Sequence, residues 1–331
     1  MLPKSKPLSP VDAMLRSHRL RWWELTPWII AVAGYFLFPD HLALGSQIFI
    51  MVLFALSLDL ILGYAGIVTL GHAAFFGIGA YTAGILAVQG WHEPLTALVA
   101  AGAISGFVGL ISGLIILRTH GLTLLMLTLA IVFMLEELAN KASWLTGGAD
   151  GLQGMSVAPV FGTFRFDMFG RTAYWYSLAV LFLGWVFMRI LVHSPFGRSL
   201  TGIRENVIRM HAIGTPVRQR LVTAYALSAV MAGVAGGVLA QTTQFVGLNV
   251  VSFQRSGAIL IMLIFGGVGR LYGAFVGAPI YMIAEDELAK TDPVYWFFWL
   301  GLLLVLVVMF ARGGVLGLAE QAWRTLRRSK P

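Results

Sequence analysis

The chain has 331 residues, 58% of them hydrophobic and 11% charged, with a mean hydropathy of +0.82. No soluble domain of this size carries that balance, so the sequence reads as an all-α polytopic membrane protein. The net charge of +8 sits mainly in the tails and one loop, where membrane topology accounts for it and nucleic-acid binding does not; with no cysteine, disulfides, zinc ribbons and thiol catalysis are excluded.

Residues 1–21 are polar and basic (Lys4, Lys6, Arg16, Arg19) and read as a cytoplasmic tail, since no small-residue cleavage pattern closes the apolar run that follows. Trp22, Trp23 and Trp28 suit an interfacial belt. A crossing takes about 20 apolar residues at about 1.5 Å each. Ten spans are predicted, over 22–38, 42–62, 66–89, 95–117, 121–140, 174–192, 221–243, 254–269, 272–288 and 294–311. The eighth and ninth are short and glycine-broken and read as half-helices or one re-entrant pair. The tail 312–331 is basic through Arg312, Arg324, Arg327, Arg328 and Lys330, so both termini are placed in the cytoplasm and the permease domain at 22–311. Arg118, Arg198, Arg204, Arg209, Arg218 and Arg220 put their connections on the same side. Lys141, Arg165 and Arg171, in the loop 141–173 assigned to the outer face, run against that trend, which long loops obey less strictly.

The stretch GYAGIVTLGHAAFFGIGAYTAG at Gly63–Gly84 is apolar enough for a bilayer, yet glycine recurs through it with Tyr64, Thr69, His72 and Tyr81. Such glycine density indicates close helix approach, a broken helix, or backbone facing a cavity. An imidazole at membrane depth faces protein or water, so His72 is either a pathway residue or a packed histidine bonded to a neighbouring helix. Asp59 reads as a cap or internal pair, and Glu136 and Glu137 as groups near the outer interface.

Two loops break the hydrophobic background. Thr146–Gly154, with Gly147, Gly148, Asp150 and Gly151, is a turn-rich tract on the outer side. In the connection 194–220, Ser199 can cap one amphipathic helix with Leu200, Ile203, Val207 and Met210 on its apolar stripe and Arg204, Glu205 and Arg209 near its polar side, stopped by Gly214 and Pro216. Such a helix lies on headgroups or docks to a partner; physics alone leaves both open.

An internal duplication is hinted at. Gly63-Tyr64-Ala65-Gly66 is answered by Gly266-Gly267-Val268-Gly269, and His72–Gly77 is echoed by Gly273–Gly277. Glycine-broken segments in corresponding places of two halves mark a transporter site between repeats. The span count puts both breaks on the cytoplasmic side and makes the repeats parallel; one miscounted crossing would invert them.

Five blocks, GYAGIVTLGHAAFFGIGAYTAG, TGGADGLQG (146–154), PFGRSLTGIRENVIRMHAIG (195–214), ALSAVMAGVAGG (226–237) and GGVGRLYGAFVGA (266–278), together resemble the permease family of branched-chain amino acid ABC importers, in order and spacing its larger, M-type subunit. The resemblance runs from Leu42 to Gly317 and is less specific for solute, since urea and short-chain amide importers have similar membrane subunits. It implies an inner-membrane assembly of this chain with a second permease subunit, two cytoplasmic ATPases and a periplasmic solute-binding protein. It implies that Gly202, Ile203, Arg204, Glu205, Asn206, Val207, Met210 and Gly214 belong to the loop that docks in a groove of the ATPase and carries its motion to the permease. The expected pathway residues are Tyr64, Thr69, Gly71, His72, Tyr81 and Thr82 in the first broken segment and Gly266, Gly267 and Gly269 in the second, where exposed amides and carbonyls could hold a zwitterion.

No cofactor and no metal are expected, and no Gly-Lys pair occurs, so a phosphate-binding G-x-x-x-x-G-K-[ST] loop is excluded. An intramembrane enzyme using His72 or His120 with Asp59 or Glu136 is disfavoured, because no H-x-x-x-H, H-E-x-x-H or serine elbow is present. An ion-coupled carrier working as a single chain conflicts with the docking-type helix.

Overall fold

The computed structural model describes residues 22–167, 169–310 and 313–317. The tail at 1–21, and all of the tail at 312–331 except 313–317, lie outside the described residues. Among those described the chain is helical, with no strand and two isolated β-bridges, Leu152 with Val246 and Val160 with Phe164.

Ten apolar helices carry the bundle. They are α1 (Thr26–Leu37), α2 (Leu42–Asp59), α3 (His72–Val88), α4 (Pro94–Ile116), α5 (Leu122–Lys141) and α6 (Arg171–His193), then, beyond two short basic helices α7 (Pro195–Glu205) and α8 (Val207–Ala212), α9 (Val217–Thr243), α10 (Phe253–Gly266), α11 (Gly273–Thr291) and α12 (Trp296–Phe310). Among the described residues five stretches are long and apolar enough to cross a membrane: Pro39–Tyr64, Pro94–Ile116, Leu122–Lys141, Arg171–His193 and Val217–Thr243. Proline sits in the first turns of α1, α4 and α7, where its missing N–H and fixed φ do no harm.

Two expected spans are corrected. The third does not begin at residue 66: α2 widens into a π-helical turn, Leu60–Tyr64, Gly66 takes φ +75°, and the backbone stays out of the helix until His72. The eighth ends at Gly266, not 269, because Gly267 takes φ +112°, and it is preceded by the irregular stretch 244–252. Each interruption therefore precedes a short helix, a feature that hydropathy alone does not show.

Contacts at the two ends give the directions. At one end Arg204 of α7 lies against Gly63 and Gly269, Gly267 against Gly313, and Arg189 near the end of α6 pairs with Glu24 at 3.0 Å ahead of α1. At the other, Leu152 pairs with Val246, Met155 lies against Gly84, and the Ala158 N–H donates to the His92 carbonyl at 2.8 Å. Successive helices alternate between these ends, so α3 and α10 run in opposite directions. The set α2, irregular stretch, α3, α4, α5 is matched by α9, irregular stretch, α10, α11, α12, with opposite sense. The glycine echo expected to mark parallel repeats is thus not the structural correspondence. His72–Gly77 opens α3, but its partner by position is the start of α10, whereas Gly273–Gly277 opens α11.

The tightest packing joins α9 to α3 and α4. Gly79 faces Gly233, and a Cβ on Gly236 would stand 2.9 Å from the Ala80 amide nitrogen. Small residues let backbones approach this closely, which in lipid replaces the hydrophobic drive available in water. Ser105 Oγ donates to the Phe75 carbonyl at 3.1 Å, and Gln241 ties α9 to α4 and α6, donating to the Pro94 carbonyl at 2.7 Å and accepting from Tyr176 Oη at 2.6 Å. Against this core α2 is buried almost all round, from Phe49 through Asp59.

Candidate functional site

At the end of α2 three separate segments meet. The Gly269 amide donates to Asp59 Oδ1 at 2.7 Å, and the Arg204 guanidinium donates to the Gly63 carbonyl. Arg204 also lays its stem on Gly66, its Cγ 2.9 Å from where a Cβ would be, and brings Nη1 to 2.8 Å of the same point on Gly269. Gly66 (φ +75°) and Gly269 (φ +76°) are left-handed, and a Cβ on Gly63 would stand 2.6 Å from the Gly269 amide nitrogen. Glycine is required here for backbone sign and for closeness together. Asp59 is fully buried, and its Oδ2 makes no hydrogen bond. The carboxylate is thus held by one amide and by the Arg204 charge, which links the surface helix α7 to both glycine-broken segments.

Beside the junction a cavity of about 470 Å³ is lined by Gly66, Val68, His120, Arg204, Val207 and Val268, among others. It places α7 next to the first irregular stretch on a face open to solvent.

Deeper in, His72 opens α3 and is 1% exposed. Its ring stacks on Phe54 (centroids 5.4 Å, 6°), with Nε2 2.8 Å from Ser57 Oγ and 3.4 Å from Ser228 Oγ. Ser57 already donates to the Phe54 carbonyl at 2.6 Å and Ser228 to the Ser57 carbonyl at 2.5 Å. Both hydroxyl protons being committed, Nε2–H must be the donor to Ser57, which assigns the neutral Nε2-protonated tautomer and leaves Nδ1 without a partner. One residue on, the Ala73 amide donates to Ser256 Oγ at 3.0 Å, bringing the starts of α3 and α10 together.

The other expected pathway residues are placed as follows. Thr69 is buried and accepts from the Gly71 amide at 3.0 Å, and Gly71 lies against the Thr128 carbonyl. Tyr64 is half-buried, Tyr81 is buried with a hydroxyl that makes no hydrogen bond, and half-buried Thr82 donates to the Ile78 carbonyl at 2.7 Å. Gly266 and Gly267 are buried against Gly273 and Gly313. Within the single chain these residues are therefore interior contacts, and the open surface beside them belongs to Gly66, Val68 and Val268.

The coupling segment differs from expectation in three ways. The cap is Ser194, accepting from the Gly197 amide at 3.3 Å, whereas Ser199 donates back to the Phe196 carbonyl at 2.6 Å. The helix is two helices: Asn206 leaves the helical region (φ −159°, ψ 99°) and caps α8 by accepting from the Arg209 amide at 2.9 Å. The apolar stripe is split as well. Leu200 and Ile203 are buried in the bundle and Met210 covers Gly202, its sulfur 2.8 Å from a Cβ there, while Val207, Ile208 and Ile213 are exposed. Glu205 is exposed, and Gly214 ends α8 with φ +80°. In the loop 141–173 Gly147, Gly148 and Gly151 all have positive φ, which leaves Asp150 exposed and sets Leu152 against Val246. Glu137 pairs with Lys141 at 3.2 Å, half-buried Glu136 stands next to it, and His120 is exposed. Two charges that the sequence reading passed over, Arg255 on α10 and Glu285 on α11, are half-buried on two helices that pack against each other; an arginine within an apolar run was the signal.

Alternating apolar helices, two of them interrupted, tied to a basic helix at one end, define a membrane transport subunit. The family of permease components of branched-chain amino acid transport systems matches residues 42–318, and the chain belongs to it. It is 28% identical to the high-affinity branched-chain amino acid transport system permease protein LivM of Salmonella typhimurium, over 87% of this chain and 73% of that protein. The corresponding protein of Escherichia coli is 27% identical over the same shares. The autoinducer 2 import system permease protein LsrC of Klebsiella pneumoniae is 25% identical over 69% of this chain and 66% of its own length. No solved structure matches.

Proposed function

We propose that this chain is one membrane-spanning subunit of an ATP-driven importer that moves branched-chain amino acids through the inner membrane. It works beside a second permease subunit, with two cytoplasmic ATPases below and a periplasmic solute-binding protein above. The ten helices are read as ten crossings with both termini in the cytoplasm, the loop 141–173 outside and 194–220 inside. Family membership supports the transport role, and one observation carries the mechanism: Arg204, on the helix assigned to the ATPase groove, bonds directly to Gly63 and contacts Gly269. A shift of α7 cannot leave either broken segment where it was. Nucleotide-driven closure of the motor would then bias the permease between inward-open and outward-open states through that differential contact. The residues expected to line the route, Thr69, Gly71, His72, Tyr81, Gly266 and Gly267, act as its backing, holding the interrupted segments in register while the open side of α5 and α10 meets the solute.

The exposed pieces of α7 and α8, Glu205 with Val207 and Ile208, supply the docking surface. In a chain that starts with no cysteine, single-cysteine labelling tests the topology: Asp150→Cys is expected to react from outside and Asn206→Cys only from inside, and the reverse pattern would overturn it. Reconstitution with the ATPases and a solute-binding protein, assayed with leucine, isoleucine, valine and urea, tests the solute; ATP-driven uptake of the aliphatic amino acids is expected, and uptake of urea alone would replace the reading.

A further inference from the structure

Another cavity, of about 590 Å³, lies at the opposite end of the bundle from the Arg204 junction. Its floor is α6, from Trp175 through Ala179 to Leu183, and Tyr35 of α1, Leu95 of α4 and Phe164 of the bridged turn close around it. The lining is apolar or aromatic except at one end, where Arg171 and Thr172 open α6. Trp175, Ala179, Leu183 and Ile190 are all exposed along α6, so one apolar face of that helix is uncovered from end to end. In a chain that crosses a membrane such a face meets hydrocarbon.

The groove has the depth of one leaflet. α6 has 23 residues, about 34 Å at about 1.5 Å each against a hydrocarbon layer about 30 Å thick, which sets Arg171 at a head-group level. Leu183 lies about 18 Å further along the axis, just past the middle of that layer. Arg171 is exposed, its guanidinium 5.8 Å from the Phe169 ring, and among the described residues it enters no ion pair within 4 Å. The nearby acid Asp167 accepts from the Thr172 amide at 3.4 Å. Arg171 is also one of the cations that run against the inside-positive trend, so topology does not account for it. Beside it Tyr35 and Trp175, ring centroids 5.2 Å apart, and the exposed Phe161 and Phe164 make the aromatic band of a head-group boundary. A cation with no acidic partner, above an apolar slot one leaflet deep, complements a phosphate that carries an acyl chain.

We infer that this groove seats one phospholipid, its phosphate held by the Arg171 guanidinium through paired N–H donors and one acyl chain laid along α6 as far as Leu183. The site goes beyond the transport role and requires only that α6 crosses a membrane. α1 has no buried residue among those described, so a chain seated between Tyr35 and Leu95 adds contacts that hold α1 on the bundle.

The test places the full chain, in the complex it forms in its own membrane, in nanodiscs of equal parts phosphatidylcholine and phosphatidylglycerol, the latter carrying a diazirine midway along one acyl chain. Irradiation and peptide mapping then read where the lipid reacts. Adducts are expected on the stretch from Trp175 to Leu183 at about tenfold the level on Phe107, an exposed apolar residue of α4 that reports ordinary lipid contact. Arg171→Gln is expected to lower the groove adduct about tenfold, the loss of one charge-assisted contact, and to leave Phe107 unchanged. Ala179→Trp fills the groove without touching the charge and is expected to lower the same adduct; should one variant fail to fold, the other decides. Equal labelling of the groove and Phe107, or an undiminished groove adduct in a folded variant, means passing lipid contact and overturns the inference. A groove without adduct, in which Ala179→Cys cross-links to another subunit, belongs to a protein partner and overturns it as well.

Discussion

The two interrupted helices share a plan and differ in their surroundings. α3 lies between α4 and α9 with most of its residues buried, held by glycines so close that backbone touches backbone. α10 is backed chiefly by α11, is less than half buried, and carries at Gly257 a position where a Cβ would meet nothing within 4 Å. One irregular stretch feeds a fixed post; the other feeds an element with room to shift.

The sharpest way to break this contrast is to substitute one glycine packed against α3 and one on α10. Gly236→Val drives a side chain into the backbone of α3 near Phe76 and Ala80; the expected loss is about 3 kcal/mol or more, seen as failure to extract folded protein. Gly257→Ala in the open position is expected to leave the yield of folded protein unchanged. Equal damage at both sites would erase the distinction between the packing of α3 and that of α10.

Next in size come changes at the junction. Asp59→Leu strips the Gly269 amide of its acceptor in a buried place, a loss of about 1 to 3 kcal/mol, and is expected to reduce ATP-driven uptake while the ATPases still copurify. Arg204→Ala and Glu205→Lys should then part company. Arg204 turns inward to Gly63, so its loss is expected to uncouple ATP hydrolysis from uptake in an assembled complex. Glu205 faces outward, so reversing its charge is expected to weaken copurification. Identical phenotypes would refute the separation of lever from docking surface.

The smallest effect is expected at His72→Leu. The Ser57 and Ser228 hydroxyls keep their carbonyl acceptors, so about 1 kcal/mol is lost with the Nε2–H bond. Uptake should fall modestly through a displaced start of α3, with assembly intact. Uptake equal to that of the unaltered protein would confine His72 to packing.

How far the sequence foretold this varied with the kind of interaction involved. Hydropathy located the helices, because the length of an apolar run is a property of adjacent residues. Where the backbone leaves the helix was less legible: Gly66 and Gly269 adopt positive φ where Arg204, from a distant part of the chain, packs against both. Asn206 looked like one more residue of an amphipathic helix, and only its capping of Arg209 shows the break. The buried fate of Leu200 and Ile203 was equally hidden, since a stripe facing lipid, a partner or its own bundle has the same period. Asp59 was named as an internal cap or pair, and it does accept from Gly269, 210 positions away.

The short bridge between Leu152 and Val246 also has a consequence for communication along the molecule. It staples the outer loop to the irregular stretch that leads into α10, with backbone bonds of 2.8 and 3.2 Å. A displacement of that loop is passed to one end of α10, while Arg204 grips the turn just beyond its other end. The more loosely seated of the two interrupted helices is thus strung between both ends of the bundle, and a movement at either end reaches it along a single rod.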